Sequence, residues 1–186
     1  FTNEADYLKS LNMISKVGGF TKFDIPRVAQ LSQRSNQFNL RTVRYTEADI
    51  KAYADDPSII DLSFTLEDKF GDNGLIAVVI LKPCDTETLF VDTWFMSCRV
   101  LKRGMENYTL NTMVECAKKA GYKRIVGEYL PTTMNKMVEK HYPNLGFKKI
   151  ESAETDLYEL EVESYQSREC YIGTQTNIQL YNQQHK

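Results

Sequence analysis

The segment RIVGEYLPTTMNKMVEKHYPNLGF, residues 124–147, constrains the fold more tightly than any other stretch of the chain. Ile125 to Leu130 are apolar or β-compatible, and Pro131 ends a strand there because it has no N–H to give to a ladder. Met134, Met137, Val138 and Leu145 then recur at helical spacing until Gly146, which stops a helix. The segment therefore predicts a strand, a proline stop, a helix and a glycine stop. Asn135 and Tyr142 are seven residues apart, so they share nearly one face of that helix at a separation of about 10 Å. Such a face can address both ends of one extended ligand. The same residues also read as an amide cap and a half-buried core tyrosine.

A second segment has a related form. Leu89 to Ser97 (LFVDTWFMS) predicts a continuous apolar strand, followed by Cys98-Arg99-Val100-Leu101-Lys102-Arg103-Gly104 and then a helix. Met105, Tyr108, Met113, Cys116 and Ala120 form the inward stripe of that helix, with Lys118 and Lys119 in its last turn and Gly121 beyond. Its start is unusual. Arg99, Lys102 and Arg103 crowd the positive end of the helix dipole, where cations are unfavourable. Free backbone N–H groups together with three cations suit a phosphate or pyrophosphate. A solvated basic loop is the other reading.

Together these segments resemble the GNAT acyltransferase fold. In that family a strand leads into an Arg/Gly loop and a helix that cradle the pyrophosphate of coenzyme A. The next strand leads to a helix carrying Asn, then Tyr seven residues on, then Gly-Phe. Asn135, Tyr142, Gly146 and Phe147 match that second pattern. In the loop Gly104 fits, while Leu101 stands where Arg or Gln belongs and Glu106 where a small residue belongs. Four longer phrases, Arg27 to Ile50, Asp68 to Ile80, Asp92 to Glu106 and Gly127 to Asn135, look like the C-terminal GNAT-like domain of FkbH-like proteins. Those proteins join a HAD-type phosphatase-like domain to a GNAT-like one. The resemblance implies loading of a glyceryl unit onto an acyl carrier protein, on the way to methoxymalonyl-type polyketide extender units.

Composition is that of an ordinary globular domain: 186 residues, 42% hydrophobic and 26% charged, with a formal net charge of −2. The absence of a long basic run or basic-aromatic repeat argues against nucleic acid as a partner. No stretch reads as a membrane span or a secretory signal. Cys84, Cys98, Cys116 and Cys170 lack metal-ligand spacing and read as reduced thiols of a cytoplasmic protein. The chain begins at Phe1 and contains no HAD-type Asp-x-Asp motif, as an excised part of a longer protein would.

Elsewhere the sequence predicts a short helix over Glu4 to Met13 and an extended segment near Ile14 to Val17. Asp24 caps a helix with Pro26 in its first turn and Val28 and Leu31 inward. Thr46 starts another helix, which stops near Pro57. Ile59–Leu66 and Leu75–Leu81 form a hairpin about Gly71-Asp72-Asn73-Gly74, with Asn-Gly at the turn. Tyr158, Leu160 and Val162 share one face of a last strand, and from about Cys170 the Gln/Asn-rich chain reads as a loose tail. The expected fold class is α/β, a mixed sheet with helices on both faces. Residues 1–170 would form one domain and 171–186 a polar tail.

Two functional readings follow. In the first, the domain is an acyltransferase that holds an acyl thioester, from coenzyme A or a phosphopantetheine arm, between two splayed central strands. By the resemblance, the backbone around Arg99, Val100, Lys102, Arg103, Gly104 and Met105 would hold phosphate and Asn135 would orient the pantetheine. Tyr142 would protonate the leaving thiolate. Glu128, on a strand face with Val126 and Leu130, would accept a proton, its pKa raised by desolvation; pairing with a nearby cation is the alternative. In the second reading the domain does no chemistry and docks an acyl carrier protein for a HAD-type partner. Asp92, in an apolar strand, must find partners whether structural or substrate-facing. His141 and His185 alone assemble neither a triad nor a metal cluster.

Overall fold

A single eight-stranded sheet organises the chain. In the computed structural model, which describes residues 2–176, the strands lie in the order β6-β7-β5-β4-β3-β2-β1-β8. The elements in chain order are α1 (Glu4–Ser10), β1 (Met13–Gly18), α2 (Asp24–Arg34), α3 (Glu47–Asp55), β2 (Ile60–Asp68), β3 (Gly71–Pro83) and β4 (Thr88–Met96). There follow α4 (Met105–Lys119), β5 (Arg124–Tyr129), α5 (His141–Asn144), β6 (Lys148–Lys149), β7 (Asp156–Glu161) and β8 (Ile172–Thr176). Neighbouring strands are antiparallel except at two places, β4 beside β5 and β1 beside β8.

Local chemistry sets the helix starts. The Asn3 side chain accepts the Asp6 N–H at 2.8 Å to cap α1. Thr46 and Asp49 form a reciprocal capping box on α3. Asp24 is the first residue of α2 rather than its cap; its carboxylate accepts the Thr21 N–H at 2.9 Å and so ties down the preceding turn. The helices cover both faces of the sheet. Leu8 of α1 and Met105, Leu110 and Met113 of α4 pack with Trp94 and Ile125 on one face. Val28, Ala29 and Ile50 of α2 and α3 pack with Phe95, Val78 and Ile80 on the other.

Four expectations are corrected. The β2–β3 turn is Lys69-Phe70, closed by the pair Asp68↔Gly71; Asn73-Gly74 lies within β3, where register shifts let the backbone bulge. The single helix expected from Met134 to Leu145 is instead a 3₁₀ turn over Lys136–Val138 and a short α5, so Asn135 and Tyr142 do not share a helix face. The loose tail does not begin at Cys170, because Ile172–Thr176 pairs with Met13–Val17 over five register positions. Residues 177–186 of that tail lie outside the described residues. Ala120, assigned to the inward stripe of α4, follows the helix and is exposed.

The β4–β5 junction positions the site. These strands pair in parallel only from Thr88↔Arg124 to Val91↔Gly127. β4 then runs on to Met96 and β5 to Tyr129 without pairing to each other.

Candidate functional site

The gap between β4 and β5 holds residues 38–41 of the chain itself. Leu40 donates its N–H to the Trp94 carbonyl at 3.3 Å, and the Met96 N–H donates to the Phe38 carbonyl at 3.0 Å. On the other side the Leu130 N–H donates to the Leu40 carbonyl at 2.9 Å. Asn39 makes an antiparallel bridge with Phe95, and Leu40 is wholly buried. A short third strand is thus wedged between the two that separate. It satisfies backbone groups that a gap would otherwise leave open. In the sequence, Asn36, Gln37 and Asn39 form an amide-rich run that breaks the helical pattern, and that run leads into this wedge.

Arg41 completes it with charge. Its guanidinium donates to the Asp92 carbonyl at 2.8 Å and, through Nε, to Glu128 Oε1 at 3.0 Å. It also stands 3.6 Å from Asp92 Oδ1 and over the Phe90 ring at 4.8 Å. Glu128 accepts a second bond, from Thr155 Oγ1 at 2.8 Å. Of the two readings of Glu128, the geometry is that of a strand-end carboxylate held by a cation. Asp92 is buried and fully engaged: Thr93 and Tyr45 hydroxyls donate to Oδ2, and Lys82 lies 3.6 Å from Oδ1. Burial, reinforced by that bond to Asp92, pushes the Tyr45 phenol above its usual range.

Asn135 is fully buried and committed to the protein. Its amide donates to the Asn39 and Leu130 carbonyls at 2.9 and 3.0 Å, and its oxygen accepts the Thr132 N–H at 2.8 Å. It therefore pins the wedge to the loop after β5. Tyr142 is 1% exposed and packs beneath β5 among Trp94, His141, Phe147 and Tyr158. Gly127 admits it: a Cβ there would lie 2.3 Å from Tyr142 Cζ. The Tyr142 hydroxyl has no hydrogen-bond partner among the described residues, and burial pushes the phenol above its usual range. His141, edge-on to Trp94 and Phe38, is buried enough that its pKa is lowered to about 3, and it stays neutral.

At the start of α4 the three cations do not converge. Arg99 donates to Ser97 Oγ at 3.2 Å and to the Asn73 carbonyl at 3.3 Å, which draws it toward β3. Arg103 donates to the Tyr7 hydroxyl at 3.3 Å on α1. Val100 and Met105 are buried in the core, while Gly104, with φ +81°, turns the chain into the helix. Lys102 lines a cleft of ≈ 460 Å³ between the α4 start and residues 137–145. Glu106 lines the same cleft, with Oε1 buried and without a hydrogen-bond partner among the described residues, and burial raises its carboxyl pKa. Arg168 crosses the cleft, donating to Asn107 Oδ1 at 2.7 Å and the Asn144 carbonyl at 3.2 Å. A carboxylate and a strap from the chain's own C-terminal part thus share the place assigned to a pyrophosphate.

Among the described residues, no helix is long and apolar enough to cross a membrane, and no group of three or more His, Cys, Asp or Glu side chains is placed to hold a metal ion.

No family model matches the sequence, and no curated protein matches it. Solved structures do. The GNAT domain of PAT from S. lividans is 17% identical, with a TM-score of 0.59 over 78% of this chain and 89% of that one. An acetyltransferase of the GNAT family from Staphylococcus aureus is 11% identical, with a TM-score of 0.60 over 80% and 99%. The GNAT family N-acetyltransferase YhbS from Escherichia coli, in complex with CoA, is 15% identical, with a TM-score of 0.53 over 92% and 93%. At these identities the likeness is one of fold. The chain has a GNAT fold, α/β with a mixed sheet and helices on both faces.

Proposed function

We propose that this domain is a docking module for an acyl carrier protein beside a HAD-type partner domain, without taking up or transferring the acyl thioester itself. The observation that carries this reading is the wedge of residues 38–41, hydrogen-bonded to β4 at Trp94 and Met96 and to the end of β5 at Leu130. In the GNAT resemblance that gap is where the thioester arm lies. Here its backbone partners are already engaged, and each bond that an arm displaced would have to be replaced. Glu106 at the α4 start adds to this, because a carboxylate repels the pyrophosphate of coenzyme A. The resemblance to FkbH-like proteins supplies the partners, an acyl carrier protein and a HAD-type domain.

A second reading is favoured by one observation. The parallel β4–β5 pair that opens after Val91 and Gly127 is intact, with Glu128 at the edge of the gap and Tyr142 under Gly127. If residues 38–41 withdraw, Glu128 would be released from Arg41 as a base and Tyr142 exposed as an acid, with Asn135 freed for the pantetheine and the backbone from Arg99 to Met105 for its phosphate.

Calorimetric titration with coenzyme A and with holo- and apo-acyl carrier protein, run beside a thiol-release assay on acyl thioesters, separates the two readings. The docking reading expects the carrier protein to bind in apo and holo forms alike, with no thiol release above background. Thiol release that falls in Glu128→Gln establishes the acyltransferase instead.

A further inference from the structure

Arg99 does not serve the start of α4, and the cleft it does line has a chemistry of its own. This cleft, of ≈ 330 Å³, opens beyond the end of β4 between α2 and the loop after Met96. Leu31, Phe38, Ile76 and Phe95 form its apolar part, and Arg34 and Arg99 stand among its polar lining. Among the described residues, no aspartate or glutamate lines it. No hydrogen bond or ion pair holds the Arg34 guanidinium among the described residues, and Arg99 is held only by neutral oxygens of Ser97 and Asn73. Two guanidinium charges over an apolar floor, with no carboxylate to neutralise them, focus a positive potential into a concave site. The volume falls within the range of small-molecule sites, about 300–1,000 Å³.

We propose that this cleft binds a small amphiphilic anion, with a short alkyl or acyl chain on the Leu31–Phe38–Ile76–Phe95 floor and a terminal phosphate or carboxylate between Arg34 and Arg99. Arg34 suits such a head because its planar fork can donate two parallel bonds to one oxyanion, while Arg99, held through Nε and Nη2, adds charge and its remaining N–H groups. The floor contributes the burial of a few methylene groups, and the charges decide which ligands enter. The site borders the wedge, sharing Phe38 and its partner Met96, but its charges, Arg34 and Arg99, belong neither to the wedge nor to the cleft crossed by Arg168. Failure of the docking reading leaves it intact, and the reverse also holds.

Cys98, exposed on the rim, reports occupancy, and the exposed Cys84, which does not line the cleft, serves as an internal control. Hexyl phosphate, hexanoate and uncharged hexanol are titrated calorimetrically, and iodoacetamide labelling of the two thiols is followed by peptide mass spectrometry. Hexyl phosphate is expected to bind more tightly than hexanol and to slow labelling of Cys98 but not of Cys84; hexanoate tests whether a carboxylate suffices as the head. Arg34→Gln and Arg99→Gln, both surface changes, should each weaken hexyl phosphate binding by about threefold, less so at high salt. Hexanol binding as well as hexyl phosphate, slowing of both thiols alike, unchanged affinity in both Arg variants, or no saturable binding at millimolar concentration each overturns the proposal.

Discussion

Tyr142→Phe should stabilise the domain, the opposite of what loss of a working residue usually suggests. The Tyr142 ring is 1% exposed, with Phe147 at 4.8 Å, His141 at 5.3 Å and Tyr158 at 5.8 Å between ring centroids. The substitution leaves those ring contacts in place and removes only a hydroxyl that has no partner. An unsatisfied buried polar group costs about 1–3 kcal/mol. Against this, the void left by one oxygen costs a few tenths of a kcal/mol at about 24 cal/mol per Å³. The balance is a gain of about 1 kcal/mol or more, which in a domain of this size raises Tm by about 2–4 °C. Urea denaturation followed by the fluorescence of the single tryptophan, Trp94, whose ring lies 6.1 Å from that of Tyr142, gives the number directly. A loss of stability larger than about 1 kcal/mol would mean that the hydroxyl is bonded in the folded state and that the reasoning is wrong. Thiol release measured on the same variant then bears on the acid role alone, free of any folding defect.

Gly127→Ala should destabilise by about 3 kcal/mol or more, because the new methyl would have to displace a ring already enclosed on every side. Replacing Tyr142 by Leu in the same chain should recover much of that loss, and a denaturant double-mutant cycle reads the coupling. Asn135→Ala should cost about 2–4 kcal/mol by stranding the Asn39 and Leu130 carbonyls, and hydrogen exchange should rise first at Leu40 and Leu130. His141, neutral in the fold with its pKa lowered to about 3, gains a proton in the unfolded chain below about pH 6.5. Stability should therefore fall by about 1.4 kcal/mol per pH unit as the pH drops from about 6.5 toward 3, and His141→Phe should flatten that slope in a pH series of denaturation curves.

The sequence shows the strands and helices that carry apolar runs or helical stripes, and it shows them because burial writes the pattern. β4, α4 and β5 lie within a residue or two of where Leu89–Ser97, the Met105 stripe and Ile125–Leu130 put them. The β2–β3 turn was misplaced because Gly71-Asp72-Asn73-Gly74 carries strong turn chemistry, whereas Lys69-Phe70 carries none. The local signal belonged to a bulge. β8 is too polar for alternation to reveal, since it is itself an edge strand of the sheet. The wedge was illegible for a different reason. Leu40 bonds to Trp94 and Leu130, both far away in sequence, through backbone groups that every residue possesses. The separation of Arg99 from Lys102 and Arg103 was hidden likewise, because adjacent cations on a turn read as one cluster until the turn is built.

The β1–β8 pairing bears on how the molecule is made. Met13 lies beside Ile172 and Val17 beside Thr176, so β1 is synthesised well before the strand that covers its outer edge. During that interval β1 can form its antiparallel ladder with β2, as soon as Asp68 has been synthesised, but its other edge stays open to pairing with another chain. The contacts of Arg168 with Asn107 and Asn144 come equally late, joining parts of the fold that were synthesised earlier. Closure of that edge thus waits on synthesis through Thr176, and until then the open strand is a site where neighbouring chains on the same message can mispair.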